Sequence, residues 1–190
     1  GGEKLEAALA AFPIEVAGRI CLDAGASTGG FTDCLLQRGA AKVYAVDVGR
    51  AQLHEKIRTD PRVVVHDQLN VRYLTPELLP EPPTFACVDV SFIALTKVLP
   101  AVCRALARPA ELVTLIKPQF EAGREQVGPG GVVRDPAVHE QVIAEVRAFG
   151  ESQLGLRWCG IIPSPLLGPA GNRGFLAPWQ LPLLRAPAEI

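Results

Sequence analysis

Apolar and polar positions change their period along this chain in a regular alternation. Residues 3–12 are strong helix formers with apolar residues at helical spacing, which predicts a helix. Short apolar runs then follow at 19–23, 42–47, 62–66, 84–90 and 111–116, each reading as a buried strand. Between them lie stretches expected to be helical, at 29–38, 51–59 and 95–107. Asp135-Pro136 gives an N-cap followed by proline at the first helical position, which predicts a helix to about Gly150. A hairpin-like end is expected at 154–163 and 173–179, with an irregular tail after Pro182. Residues 119–133 carry glycine and charge without periodicity; a loop this long in a compact domain is usually functional or mobile. Strands alternating with helices at these spacings predict an α/β domain, a mostly parallel sheet with crossovers.

The first strand runs into a glycine turn, Asp23-Ala24-Gly25-Ala26-Ser27-Thr28-Gly29-Gly30-Phe31. A strand-to-helix turn at the carboxyl edge of such a sheet is where open α/β folds bind nucleotide-like ligands. Ser27 and Thr28 stand where hydroxyls can accept the free N–H groups of the following helix. The glycine spacing does not match the G-x-G-x-x-G pattern that cradles a pyrophosphate. Asp47 closes the second apolar run, where a carboxylate can take both hydroxyls of a ribose. Adenosine without a pyrophosphate points to S-adenosylmethionine. Asp67, after the third strand, is in reach of an adenine amino group or is a turn residue. Asp89 ends the fourth strand, and Lys117, followed by Pro118, ends the fifth. A charge in so apolar a strand is costly unless paired or at an edge. Pro118 is expected to stop a helix from starting at once. His66 reads as a strand-end residue, His54 and His139 as helix-surface residues, and Lys4, by residue type alone, as a solvated charge.

Composition narrows the classes. The chain has 190 residues, 48% hydrophobic and 21% charged, with a formal net charge of −1. That suits one domain with a substantial core. It lacks the strongly basic balance of a nucleic-acid binder, although a local basic groove remains open. No apolar run reaches the roughly 18 residues that a membrane span needs, and no signal peptide opens the chain. Five scattered cysteines, with no CxxC pair and no histidine cluster, support neither a disulfide framework nor a zinc site. Reduced thiols in a cytoplasm are expected, most of them acting as small core residues. A start at Gly1-Gly2 without methionine predicts a piece of a longer chain.

Strand ends thus deliver Asp23, Asp47, Asp89 and Lys117 to one edge of the sheet. Methyl transfer from a sulfonium needs alignment and, for a hydroxyl acceptor, removal of a proton. A lysine whose pKa is lowered by burial or by a second lysine meets that demand. Asp89-Val90-Ser91-Phe92 lacks the prolines of the Asn/Asp-Pro-Pro-Tyr motif typical of amino-group methyltransferases, and no cysteine nucleophile is evident.

Several motifs in order carry a resemblance over nearly the whole chain: Gly1-Gly2-x-Lys4-Leu5, the turn from Leu22 to Asp33, Val46-Asp47-Val48-Gly49, Asp89-Val90-Ser91-Phe92-Ile93, Leu115-Ile116-Lys117-Pro118-Gln119-Phe120-Glu121, and Gly171-Asn172. They resemble the TlyA family of FtsJ-like ribosomal RNA 2′-O-methyltransferases, whose members are often labelled haemolysins. The resemblance implies a Rossmann-like class I methyltransferase fold with a seven-stranded sheet and helices on both faces, over residues 1–190. It implies S-adenosylmethionine as donor and ribosomal RNA or ribosomal subunits as partner, with a small RNA-binding domain preceding this region in the family. The donor site would draw on Asp23, Gly25, Ala26, Ser27, Thr28, Gly29, Gly30, Phe31, Asp47, Val48, Asp67 and Asp89. Of the family's Lys-Asp-Lys-Glu set, Lys4, Asp89 and Lys117 carry over, with Lys117 as base; this overturns the solvated reading of Lys4. The glutamate position holds Gly174, so one carboxylate is missing, and Glu121, Glu125 or a water would have to replace it. The alternatives are a cofactor-binding module without catalysis and a membrane-lytic protein.

Overall fold

The computed structural model describes residues 1–50 and 52–183. Five parallel strands form the centre: β1 (Ile20–Ala24), β2 (Lys42–Val46), β3 (Val63–His66), β4 (Phe85–Val88) and β5 (Ala110–Ile116). Two short strands, β6 (Arg157–Trp158) and β7 (Ile162–Pro163), precede β8 (Phe175–Leu181), which runs antiparallel to β5. The order is β3-β2-β1-β4-β5-β8-β6, with β7 also on β8. Both short strands pair antiparallel with β8, Trp158 opposite Trp179 and Ile162 opposite Leu176. They are one strand interrupted at Cys159-Gly160-Ile161, where Gly160 has φ +144°. The sheet therefore has the seven positions expected.

Strand side chains alternate between two cores, as the two-residue period requires. On one face Leu22, Ala86, Val88, Leu112 and Ile116 pack beneath α4 (Leu95–Ala105) and α6 (Pro136–Leu154). On the other, Cys21, Val43, Phe85, Val113 and Leu115 pack beneath α1 (Gly2–Ala11) and α2 (Gly30–Gln37). Two polar strand residues are also buried. Thr114 Oγ1 accepts from Trp179 Nε1 at 2.9 Å; Asp23 lies on the α2 face. Among the described residues the cysteines are free thiols, four buried and Cys159 exposed, as core use predicts.

One close approach places the first helix. A Cβ on Gly30 would stand 2.9 Å from the Gly2 backbone nitrogen. Only glycine there lets the start of α1 lie on the start of α2, which brings Lys4 over the carboxyl edge of the sheet.

Three boundaries differ from the sequence expectation. The helix at 51–59 shrinks, in its described part, to α3 (Glu55–Arg58), with His54 as N-cap accepting from Lys56 N. Leu53 instead packs over the glycine turn. Pro118 does not delay a helix: it is the first residue of a single turn, α5 (Pro118–Glu121), where a missing N–H is harmless. α6 runs through Gly150 and stops at Gly155, φ +66°. Gly150 is a contact: a Cβ there would lie 2.5 Å from the Trp179 ring. Of the irregular tail, residues 184–190 fall outside the described residues.

Gly150→Ala should therefore destabilise the domain by about 1–2 kcal/mol, since overpacking outweighs the helix-propensity gain. Urea unfolding reads this directly. An unchanged or raised midpoint would show that Trp179 moves aside freely.

Candidate active site

The turn after β1 is built from backbone contacts. Gly25 (φ +91°) sits so close to the end of β4 that a Cβ would fall 1.9 Å from the Asp89 carbonyl oxygen. Gly25 and Ala26 both donate to Val46 O, at 2.8 and 3.0 Å. Ser27, itself at φ +52°, donates its N–H to Asp47 Oδ1 at 3.0 Å, and Gly49 N donates to Asp47 Oδ2 at 2.9 Å. The Asp47 carboxylate is thus fixed by two backbone donors and keeps lone pairs for a ligand. Neither Ser27 nor Thr28 caps α2, contrary to expectation. Gly29 takes the N-cap position at φ +105°, and no side-chain cap bond forms. A residue at φ +105° must be glycine, so the cap is conformational and no hydroxyl supplies it.

Above this turn opens a cleft of about 460 Å³. Gly25, Ser27, Asp47, Val48 and Asp89 line it, as expected of a donor site, and so do Gln52, Leu69, Asn70, Val71 and Val98. Polar groups thus lie at one end and an apolar patch at the other, the form of a site for a nucleoside. Asp23, Ala26, Thr28, Gly29, Gly30, Phe31 and Asp67 are not among the lining residues. Asp67 turns to Arg58, 2.7 Å away, so the adenine end falls to residues 69–71. Their only sequence signal was their place just past a strand end at the active edge.

Asp23 is fully buried below the turn. It accepts from Thr32 Oγ1 at 2.6 Å and from the Cys87 thiol at 3.7 Å. Loss of hydration pushes its pKa up to about 7, with the nearby Asp89 charge adding to the rise. Asp23 is a structural anchor that holds α2 against β1 and β4.

A second cleft, about 540 Å³, shares Ser91 and Phe92 with the first. It contains Lys4, Lys117 and Gly174. Lys117 Nζ lies 2.5 Å from Asp89 Oδ1, an ion pair off the hydrogen-bond line, and donates to Ser91 Oγ at 3.1 Å. Both side chains of the pair are largely withdrawn from solvent. The structure therefore brings Lys4, Asp89 and Lys117 to the junction of the two clefts. Ser91 was missed, because a serine after a strand carries no distinguishing signal. Phe92, at φ +62° and 90% exposed, stands between the clefts beside Phe120, ring centroids 4.9 Å apart.

Neither carboxylate offered as a replacement at position 174 lines this cleft. Glu121 Oε1 caps α4, accepting from Leu95 N at 2.9 Å, and burial pushes its pKa up to about 7. A Cβ on Gly174 would meet only Leu115 Cδ1 at 3.1 Å and Ile116 O at 3.5 Å, so a side chain could enter there. The far wall is the loop 128–134, held by Asn172, which accepts from Val133 N and donates to Gly131 O, both at 3.0 Å. His139 is no surface residue: Nε2 contacts Val133 O at 2.8 Å, and its ring meets Phe175 edge-on. His66 does sit at the strand end, near the Tyr44 ring.

The strand order and the clefts at the carboxyl edge are those of a class I methyltransferase. Aeropyrum pernix fibrillarin, in complex with natively bound S-adenosyl-L-methionine, has the same fold: TM-score 0.62 at 15% identity over 94% of this chain and 75% of that one. The family model of the FtsJ-like methyltransferases matches residues 1–179, and the chain belongs to that family. It is 53% identical over 172 residues to the 16S/23S rRNA (cytidine-2′-O)-methyltransferase TlyA of Mycobacterium tuberculosis, covering 90% of this chain and 64% of that protein. Hemolysin A of Brachyspira hyodysenteriae is 46% identical, over 93% and 73%. A solved hemolysin-named protein from Streptococcus thermophilus superposes at TM-score 0.93 with 49% identity, over 96% and 66%. The chain thus spans about 64% of the length of the M. tuberculosis protein. Among the described residues no helix is long and apolar enough to cross a membrane, and no cluster could hold a metal ion.

The two raised carboxyl pKa values give a stability profile. Folded Asp23 keeps its proton to about pH 7, whereas the unfolded chain releases it near 3.8. The folded state therefore holds more protons between those values, and stability falls as pH rises through that window. Glu121 acts with the same sign. Asp23→Asn should flatten part of the decline and Asp23→Asn with Glu121→Gln more of it, read as denaturation midpoints from pH 4 to pH 8. A wild-type midpoint that climbs over this range would contradict both assignments.

Proposed function

We propose that this chain is the catalytic domain of an S-adenosylmethionine-dependent methyltransferase acting on a ribose 2′-hydroxyl of ribosomal RNA. The observation that carries the reading is the Lys117–Asp89 pair at the junction of two clefts. One cleft suits an adenosine; the other contains the second lysine. The names of the relatives at 53% and 46% identity, an rRNA 2′-O-methyltransferase and a hemolysin, bear on the choice. The hemolysin reading would need a membrane-active element, which the described helices do not supply.

The first cleft fits the cofactor by its donor set. Asp47, held by Ser27 N and Gly49 N, would take the ribose hydroxyls; Leu69, Val71 and Val98 would cover the base. When bound, the cofactor supplies an electrophilic methyl group on a sulfonium. This chain's part is alignment and proton removal. Lys117 Nζ in its neutral form would take the proton of the ribose hydroxyl as the oxygen becomes the nucleophile. Asp89 and Ser91 fix two directions about that nitrogen, leaving another for the substrate. Lys4, from α1, would add positive charge beside the forming alkoxide. The exposed Phe92 supplies a flat apolar surface where a base can stack. With a net charge of −1, binding to ribosomal RNA would rest on local basic groups and on the part of the protein outside this chain.

Binding and chemistry should separate by mutation. Asp47→Ala should weaken S-adenosylmethionine binding about ten- to hundredfold by calorimetry, the loss of charge-assisted hydrogen bonds. Lys117→Ala should leave that affinity roughly intact and lower methyl transfer to ribosomal subunits by about 10²–10⁴-fold. Equal loss of both properties in both variants would overturn the division of roles.

The glycine at 174 predicts a slow enzyme. Gly174→Glu should raise turnover, because the side chain enters beside the two lysines with only Leu115 to displace. Single-turnover transfer by the full-length protein checks this; no gain would show that the site already has its full complement of charge.

A further inference from the structure

The second cleft has an unusual charge content. Its lining includes two lysines, Lys4 and Lys117, and no aspartate or glutamate. Asp89 reaches Lys117 from the first cleft's side. Among the described residues Lys4 forms no ion pair, and its α1 neighbour Glu6 is taken by Arg38. The cleft therefore faces the substrate with an uncompensated positive charge in a partly enclosed space. Such a place favours an anion of matching size.

The corner beside Gly174 is shaped for a small one. Its backbone is unstrained by positive φ, and the nearest atoms to a Cβ there are a flexible leucine methyl and one carbonyl oxygen. The residues opposite, Gly130 and Gly131, have φ +73° and +74°, and a Cβ on either would meet nothing within 4 Å. The space is open and free of competing acids.

We propose that the Gly174 corner of the second cleft is a binding site for a small free carboxylate such as formate or acetate, held by Lys4 and Lys117, and that the bound anion raises the rate of methyl transfer. This rests on the functional reading above for the rate, though not for the binding. The anion compensates the two ammonium groups and lets Lys117 Nζ be oriented from a further side; no covalent bond forms.

The test uses the full-length protein with sodium formate, sodium acetate and inorganic phosphate, against sodium chloride at equal ionic strength. In heteronuclear NMR, the Gly174 and Lys117 amides should shift saturably with formate and acetate and not with chloride. The shifts should vanish in Gly174→Glu and Lys4→Ala. Methyl transfer to ribosomal subunits should rise with the same saturation by about fivefold, the size of one partly screened charge neighbour, in the wild type and not in Gly174→Glu. Absence of saturable shifts would overturn the site whatever the transfer assay shows. Shifts accompanied by inhibition would also overturn the proposal, since the corner would then be taken by a phosphodiester of the RNA; phosphate would show the same competition. Shifts with no transfer under any condition would leave the site standing and refute the enzymatic reading instead.

Discussion

An ammonium and a carboxylate withdrawn from water are each expensive alone, and tolerable when they face each other. Lys117 and Asp89 meet this constraint across the carboxyl ends of two neighbouring parallel strands, 2.5 Å apart. Much of the local structure serves to bring those ends together. Gly25 has no side chain because the Asp89 carbonyl occupies the place of its Cβ. Asp89 N in turn donates to Ala24 O at 2.9 Å, which continues the β1–β4 ladder past the strand's end. Glu121, one helical turn beyond Lys117, accepts from Leu95 N and ties α5 to the loop that carries Ser91 and Phe92. The pair is the wall between a nucleoside-shaped cleft and a cationic one, so chemistry between occupants of the two would pass over it.

The same sheet edge carries a graded set of carboxylates. Asp23, deepest, is neutralised toward pH 7 by burial and works as packing. Asp47 is fixed by backbone donors and faces open space. Asp89 is paired to a lysine. One residue type at three successive strand ends is given three roles by depth and partners alone.

The fold was legible because hydrophobic period and strand spacing are local properties of the sequence. Asp47, Asp89 and Lys117 were legible for the same reason, as charges closing apolar runs. What was not legible depends on contacts far along the chain. Gly150 looked like a helix stop because the Trp179 ring that demands a glycine lies in another strand. Ser27 and Thr28 looked like caps, but Gly29 had already taken the N-cap conformation, and Ser27 N turned to Asp47. Asp67 looked like an adenine contact until Arg58 claimed it. Lys4 could be placed by family resemblance only, since its position depends on the Gly2–Gly30 approach between two helices.

The central claim is that the oxygen of a ribose, and not a base atom, receives the methyl group beside Lys117. The most direct measurement incubates the full-length protein and labelled S-adenosylmethionine with ribosomal subunits, then hydrolyses the RNA in alkali. A methyl on the 2′-oxygen blocks cleavage at the next phosphodiester, so the label should emerge in alkali-resistant dinucleotides. Label recovered in mononucleotides, carried on a base, would contradict the account.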